Sequence, residues 1–360
     1  MAVENAAIET IEAGITGRPV YDYAPPDAFF ASETPSGAGV YDVRDFGAVA
    51  DIAVDNTTMI QAAIQAAHDA GGGIVYIPEG VYGVGRASDS LGSIEVYANV
   101  FLKGASMGET TLRVIDGESQ DITGILRSPS GEGTSNYGIA DLTIDGNQAN
   151  TTGEIYGFFT GATPGEVTTD VDVYVLRVEA QNNSGYGFDP HEQTQRLLIQ
   201  DSVAHNNGFD GFVADFVSNS AYIGNTAYEN GRHGFNVVTS SHNMLLENNV
   251  AYDNASAGIV VQRGSDDRAL VENVIIRGGE VYDNAREGIL VKLSDNVLVT
   301  DVNVHDNDRY GIRVQGATNV TLEDNTVTNN SQAGHDVYSE IQITDFYDPI
   351  TGTTFATADT

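Results

Sequence analysis

A phenol, a carboxylate and an imidazole fall within six residues in the run Tyr186-Gly-Phe-Asp189-Pro-His191, and Glu192-Gln193 extend it. Such a set can move protons: imidazole is a base near neutral pH, a phenol is a donor, and a carboxylate can hold either in place. Asp215 follows 24 residues after His191, and Arg232-His233 come soon after it. A lone histidine is more often structural than catalytic. A cluster of Tyr186, Asp189, His191, Asp215, Arg232 and His233 marks a candidate site.

These residues sit in a repeat. The blocks AQNNSGYGF, AHNNGFDGF, AYENGRHGF, AYDNASAGI, VYDNAREGI and VHDNDRYGI begin at Ala180, Ala204, Ala227, Ala251, Val281 and Val304, at spacings of 24, 23, 24, 30 and 23 residues. A unit this short cannot bury a core alone and must stack on its neighbours. Its strand-like pattern points to an all-β fold, a right-handed parallel β-helix, in which matching positions form columns.

One column holds Asn183, Asn207, Asn230, Asn254, Asn284 and Asn307. It reads as structural, since turn asparagines tolerate left-handed backbone and hydrogen-bond locally or along a stack. The column Gly187, Gly211, Gly234, Gly258, Gly288 and Gly311 reads as backbone geometry. A third holds His191, Asp215, Val238, Gln262, Lys292 and Gln315, and a fourth holds Tyr186, Asp210, His233, Ala257, Glu287 and Tyr310. A polar, ionisable stripe on stacked strands is a groove, and a rise of about 4.8 Å per coil matches one sugar of an extended polysaccharide.

The elements that position this stripe are legible upstream. Ile60, Ala63, Ile64 and Ala67 lie at helical spacing in Thr57–Ala70, which predicts a short helix capping the N-terminal end of the solenoid. Gly71-Gly72-Gly73 ends it, and Ile74–Pro78 reads as a strand. Residues 1–37 read as an extension or linker, 38–345 as the β-helix module, and 346–360 as a patternless polar tail. Gly104-Ala-Ser106-Met-Gly108 fits G-x-S-x-G but lacks the strand–elbow–helix context of a serine hydrolase. The glycine triplet lacks the Lys-Ser/Thr of a phosphate loop.

Composition narrows the partners. Sixteen basic residues stand against 51 acidic ones, for a net charge of −35, which argues against nucleic acid. There is no cysteine, and no apolar run reaches the roughly 20 residues that span a membrane. The N-terminus lacks the pattern of a cleavable signal peptide. Lys103 and Lys292 are the two lysines, beside fourteen arginines.

The run SGYGFDPHEQT (Ser184–Thr194), with DSVAHNNGFDGFVADF, GRHGFNVVTS, VVQRG and DNAREGILVK, resembles the catalytic A-module of bacterial, secreted, calcium-dependent mannuronan C5-epimerases. The match covers roughly residues 40–342. The resemblance implies action on alginate, with β-D-mannuronate converted to α-L-guluronate within the polymer. It implies His191 as base, Tyr186 as proton donor, and Asp189, Asp215, Arg232 and His233 completing the site. Lys292, four coils beyond His191 or about 19 Å, would grip a carboxylate in a distant subsite. Arg127, Arg263, Gln262, Arg313, Glu192 and Gln193 would be further substrate contacts. Calcium, an extracellular location and a monomeric state are expected on the same ground, with calcium ligands unknown. The chain departs from the family where a Lys-x-Asp pair is replaced by Glu154-Ile-Tyr156.

Two alternatives stand beside the epimerase. An alginate lyase shares H5 abstraction but expels the C4 oxygen. A glycan-binding β-helix would do no chemistry. A polygalacturonase-like hydrolase fits less well, because no matching aspartates with Gly-His-Gly occur.

Overall fold

The computed structural model describes residues 27–31, 35, 37, 39–129, 133–161, 169–191, 193–264, 268–333, 338–348 and 352–358. Most of the expected extension, and Glu192, lie outside them. The chain forms two compact units, Arg18–Gly208 and one built on Phe209–Thr360.

Both are right-handed parallel β-helix. In the first, Val40–Asp42 pairs with Gly73–Tyr76, which pairs with Val100–Lys103, all in parallel. Ser135–Asp145 and Val171–Gln181 continue the ladder. A separate parallel ladder runs through Ile94–Glu95, Leu126–Arg127, Phe158–Thr160 and Phe188–Pro190, and its last member carries Asp189. The helix Thr57–Asp69 buries Ile60, Ala63, Ile64 and Ala67, as its spacing predicts, and packs on the first strands. Gly71 and Gly72 end it at φ 95° and 127°, a backbone region that favours glycine.

A feature not legible in the sequence lies within the expected extension. Asp27–Phe30 is a short helix whose Phe29 is buried among Ile74, Phe101, Ala140 and Tyr174. Lys103 donates to the carbonyls of Ala31 (2.5 Å) and Phe29 (3.3 Å), and pairs with Asp141. Arg177 holds the same carboxylate through two bonds of 2.5 and 2.9 Å. One of the two lysines is therefore part of the interior.

In the second unit a ladder runs in register through Phe212–Asp215, Phe235–Val238, Ile259–Gln262, Ile289–Lys292, Ile312–Gln315 and Ile341–Thr344. Each asparagine of the column donates its amide to the next: Asn230 to Asn254, Asn254 to Asn284, Asn284 to Asn307 and Asn307 to Asn330, all at 2.9 Å. The left-handed residue sits one position earlier than expected, at Glu229, Asp253, Asp283 and Asp306. Column glycines are required by close approach instead of positive φ. A Cβ at Gly258 would lie 2.3 Å from Val281 Cγ1 and 2.9 Å from the Gly288 carbonyl.

Within the segment expected to be a patternless tail, the described residues include two strands. Phe346–Tyr347 and Thr354–Phe355 pair antiparallel, and their two phenylalanines lie 6.3 Å apart. Short two-residue strands carry too little periodicity to be read from sequence.

Candidate functional site

Tyr186, Asp189 and His191 are held by residues 30 to 32 positions earlier, one coil below. Phe188 and Asp189 stand in register with Phe158 and Phe159. The Tyr156 ring meets Tyr186 edge-to-face, with centroids 5.1 Å apart and planes at 80°. The Phe159 ring stacks on His191 at 5.6 Å and 17°. Thr160 Oγ1 accepts the His191 backbone N–H at 2.9 Å, and Thr194 Oγ1 donates to the His191 carbonyl at 2.8 Å. These two buried hydroxyls are 2.5 Å apart. The imidazole backbone is thus pinned by hydroxyls while its ring is fixed by an aromatic face. Asp189 is buried. Burial first, then the Glu154 and Asp189 charges, push the Tyr156 phenol well above its ordinary value.

Arg127 was expected to touch substrate, and its surroundings argue otherwise. It is fully buried, and it donates to the carbonyls of Ser128, Thr123 and Gly161 at 2.9 to 3.0 Å. Its guanidinium lies 5.2 Å from the Phe159 centroid, so it supports the ring behind His191. A guanidinium in a strand of alternating pattern looks the same in sequence whether it faces water or carbonyls. Gln193 is exposed at a turn with φ 63°, and its side chain accepts from Thr169 at 3.4 Å.

In the second unit Arg232 and His233 converge on Asp210. Arg232 forms a bidentate pair with this buried carboxylate at 2.6 and 2.5 Å. Asp210 also accepts the His233 backbone N–H and the Asn236 amide, both at 2.9 Å. His233 Nδ1 accepts from the Ala257 N–H at 3.2 Å, which places its proton on Nε2 when neutral. Burial holds its pKa below the ordinary imidazole value, against the pull of Asp210. Asp210 was visible in the column of Tyr186 and His233, yet its organising role depends on contacts across coils.

Asp215, Val238, Gln262, Lys292 and Gln315 occupy one register column, as the spacing predicts. Gln262 donates to Asn236 at 3.2 Å. Glu287, buried, accepts from Arg313 at 3.2 Å, and Arg313 also donates to Gln342 at 2.9 Å. The tail supplies the remaining neighbours. Lys292 Nζ lies 4.2 Å from the Phe346 centroid, and the Arg263 guanidinium lies 5.1 Å from that of Phe355. Burial foremost, with Arg313, Arg286 and Arg263 adding repulsion, lowers the Lys292 ammonium below its usual range. Among the described residues no three His, Asp or Glu side chains are grouped to hold a metal ion.

The ladders define a class: a parallel β-helix, with a polar register column on one ladder of its second unit. The family described as Rhamnogalacturonase A/epimerase, pectate lyase-like, matches residues 40–289, and the Right handed beta helix region matches residues 270–345. Mannuronan C5-epimerase AlgE6 of Azotobacter vinelandii is 54% identical over 256 residues, covering 71% of this chain and 29% of the relative. Alginate lyase 7 of the same organism is 52% identical over 255 residues, covering 71% and 30%. The solved A-module of AlgE6 from A. vinelandii superposes with a TM-score of 0.85 at 48% identity, over 88% of this chain and 84% of that one. The chain belongs to the mannuronan C5-epimerase A-module family. It spans under a third of the length of either curated relative. No helix among the described residues is long and apolar enough to cross a membrane.

Proposed function

We propose that this chain is a mannuronan C5-epimerase, inverting C5 of β-D-mannuronate units within alginate to give α-L-guluronate. The observation that carries this reading is the pairing of a phenol and an imidazole, Tyr186 and His191, on a run fixed by Tyr156, Phe159, Thr160 and Thr194. The His191 imidazole takes H5, and the C5–H electron pair moves into the C5–C6 bond as negative charge collects on the carboxylate. Hydrogen-bond donors aimed at that carboxylate lower the barrier. The family resemblance assigns that role to Arg232 and His233, with Asp189 and Asp215 completing the site. Tyr186 then delivers its proton to the opposite face of C5. An acid and a base on opposite faces are what inversion requires.

Lys292, with Gln262, Arg263 and Arg313, holds sugars removed from the reacting unit. Calcium, implied by the family, enters no step of this scheme. An extracellular location and a monomeric state belong to the same proposal.

A second reading is favoured by the 52% identity to a relative named as an alginate lyase. The same carbanion would then break the C4–O4 bond, with the Tyr186 proton going to O4. Incubation with polymannuronate separates the two. Guluronate signals in the proton spectrum without unsaturated ends establish the epimerase, and rising ultraviolet absorbance from unsaturated ends establishes the lyase. His191→Ala removes turnover under either. A variant with full turnover would dismiss the assigned base.

A further inference from the structure

We propose that Tyr156 is a positioning residue for the Tyr186 phenol, setting the direction from which the proton returns to C5; the inference deepens the epimerase reading and rests on it. The two rings meet edge-to-face at 5.1 Å, an arrangement that fixes the orientation of each. Tyr156 also lies 6.3 Å from Phe159, the ring stacked on His191. One aromatic pair thereby touches both proton-transfer side chains, Tyr156 at the phenol and Phe159 at the imidazole.

The chain makes room for this contact at a particular glycine. A Cβ at Gly185 would lie 2.1 Å from Tyr156 Cδ1 and 2.3 Å from Cε1, distances that no side chain tolerates. Gly185 therefore lets one edge of the Tyr156 ring, Cδ1 and Cε1, approach the backbone immediately before Tyr186. The ring, more than its hydroxyl, does the positioning. That hydroxyl stays protonated at working pH, because burial and the charges of Glu154 and Asp189 oppose its ionisation. Tyr186 thus faces a neutral aromatic neighbour at this contact, where an acidic side chain would place a charge.

The test compares Tyr156→Phe, Tyr156→Leu and Gly185→Ala, each checked for an unchanged melting temperature. Tyr156→Phe keeps the ring and should hold kcat within about 2-fold. Tyr156→Leu should lower kcat about 10-fold with KM within about 2-fold, and Gly185→Ala, by displacing the ring, should match it. In the double variant Tyr156→Leu/Gly185→Ala the two losses should not add. Fluorine NMR of protein labelled with 3-fluorotyrosine gives a readout independent of turnover, with the Tyr186 signal assigned by its loss in Tyr186→Phe. That signal should move in Tyr156→Leu. A kcat unchanged in Tyr156→Leu, or lowered equally in Tyr156→Phe, overturns the proposal. If wild-type protein turns over no polymannuronate while the Tyr186 signal still moves, the epimerase reading has failed and the contact alone stands.

Discussion

Asp210 carries more of the second unit's polar order than any residue picked out by its chemistry. It spends both oxygens on Arg232, the His233 N–H and the Asn236 amide. Asp210→Ala should cost about 1–3 kcal/mol, the usual penalty for stranding buried donors. The Arg232 side chain is 40% exposed and can turn to water, so the cost stays below that of a fully buried pair. Denaturant unfolding measures the stability loss, and kcat/KM should fall with it as Arg232 and His233 lose their anchor. His233 adds a pH dependence whose sign follows from its lowered pKa. The unfolded chain binds a proton near 6.5 while the folded chain resists it. Stability from this group is therefore complete above that pH and lost as the pH falls below it. A histidine NMR titration should place His233 below 6.5 with the proton on Nε2; a value above 6.5 would remove the neutral donor from the scheme.

At the level of coils and strands, the last ladder strand offers a graded comparison. Ile312 and Ile341 share a register position, but Ile312 is buried and Ile341 is 43% exposed. Ile312→Ala should cost about 2–5 kcal/mol. Ile341→Ala should cost less than half as much, and equal losses by thermal unfolding would contradict the burial argument. The repeat made the strand register, the asparagine ladder and the Asp215–Gln315 column legible, because each recurs at a fixed spacing. What escaped the sequence was non-local. The burial of Arg127 behind Phe159, the Phe29 helix gripped by Lys103, and the tail aromatics over Lys292 and Arg263 join residues far apart without periodicity. The left-handed turn position was missed for a different reason. It tolerates Asn, Asp and Glu alike, so it forms no single-letter column.

For the molecule as a whole, charge sets how a polyanion can be held. With 51 acidic and 16 basic residues, the net charge opposes approach of a polyanion, so the proposed binding of alginate falls to a few placed cations. Lys103 is interior, so under the proposed function Lys292 is the lysine left for this work. Lys292→Gln should raise KM several-fold while changing kcat little, the pattern of a lost binding contact away from the reacting sugar. Added salt should narrow the KM gap between wild type and variant, because it screens the contact that only the wild type makes. A variant with lower kcat and unchanged KM would place Lys292 at the chemistry instead.

In the proposed mechanism C5 loses its hydrogen to one group and regains a proton from another that exchanges with water. Turnover of polymannuronate in deuterium oxide tests it most directly. The expected product is guluronate carrying deuterium at C5, with no unsaturated ends. Guluronate that retains its original H5, or unsaturated ends in place of guluronate, would contradict it.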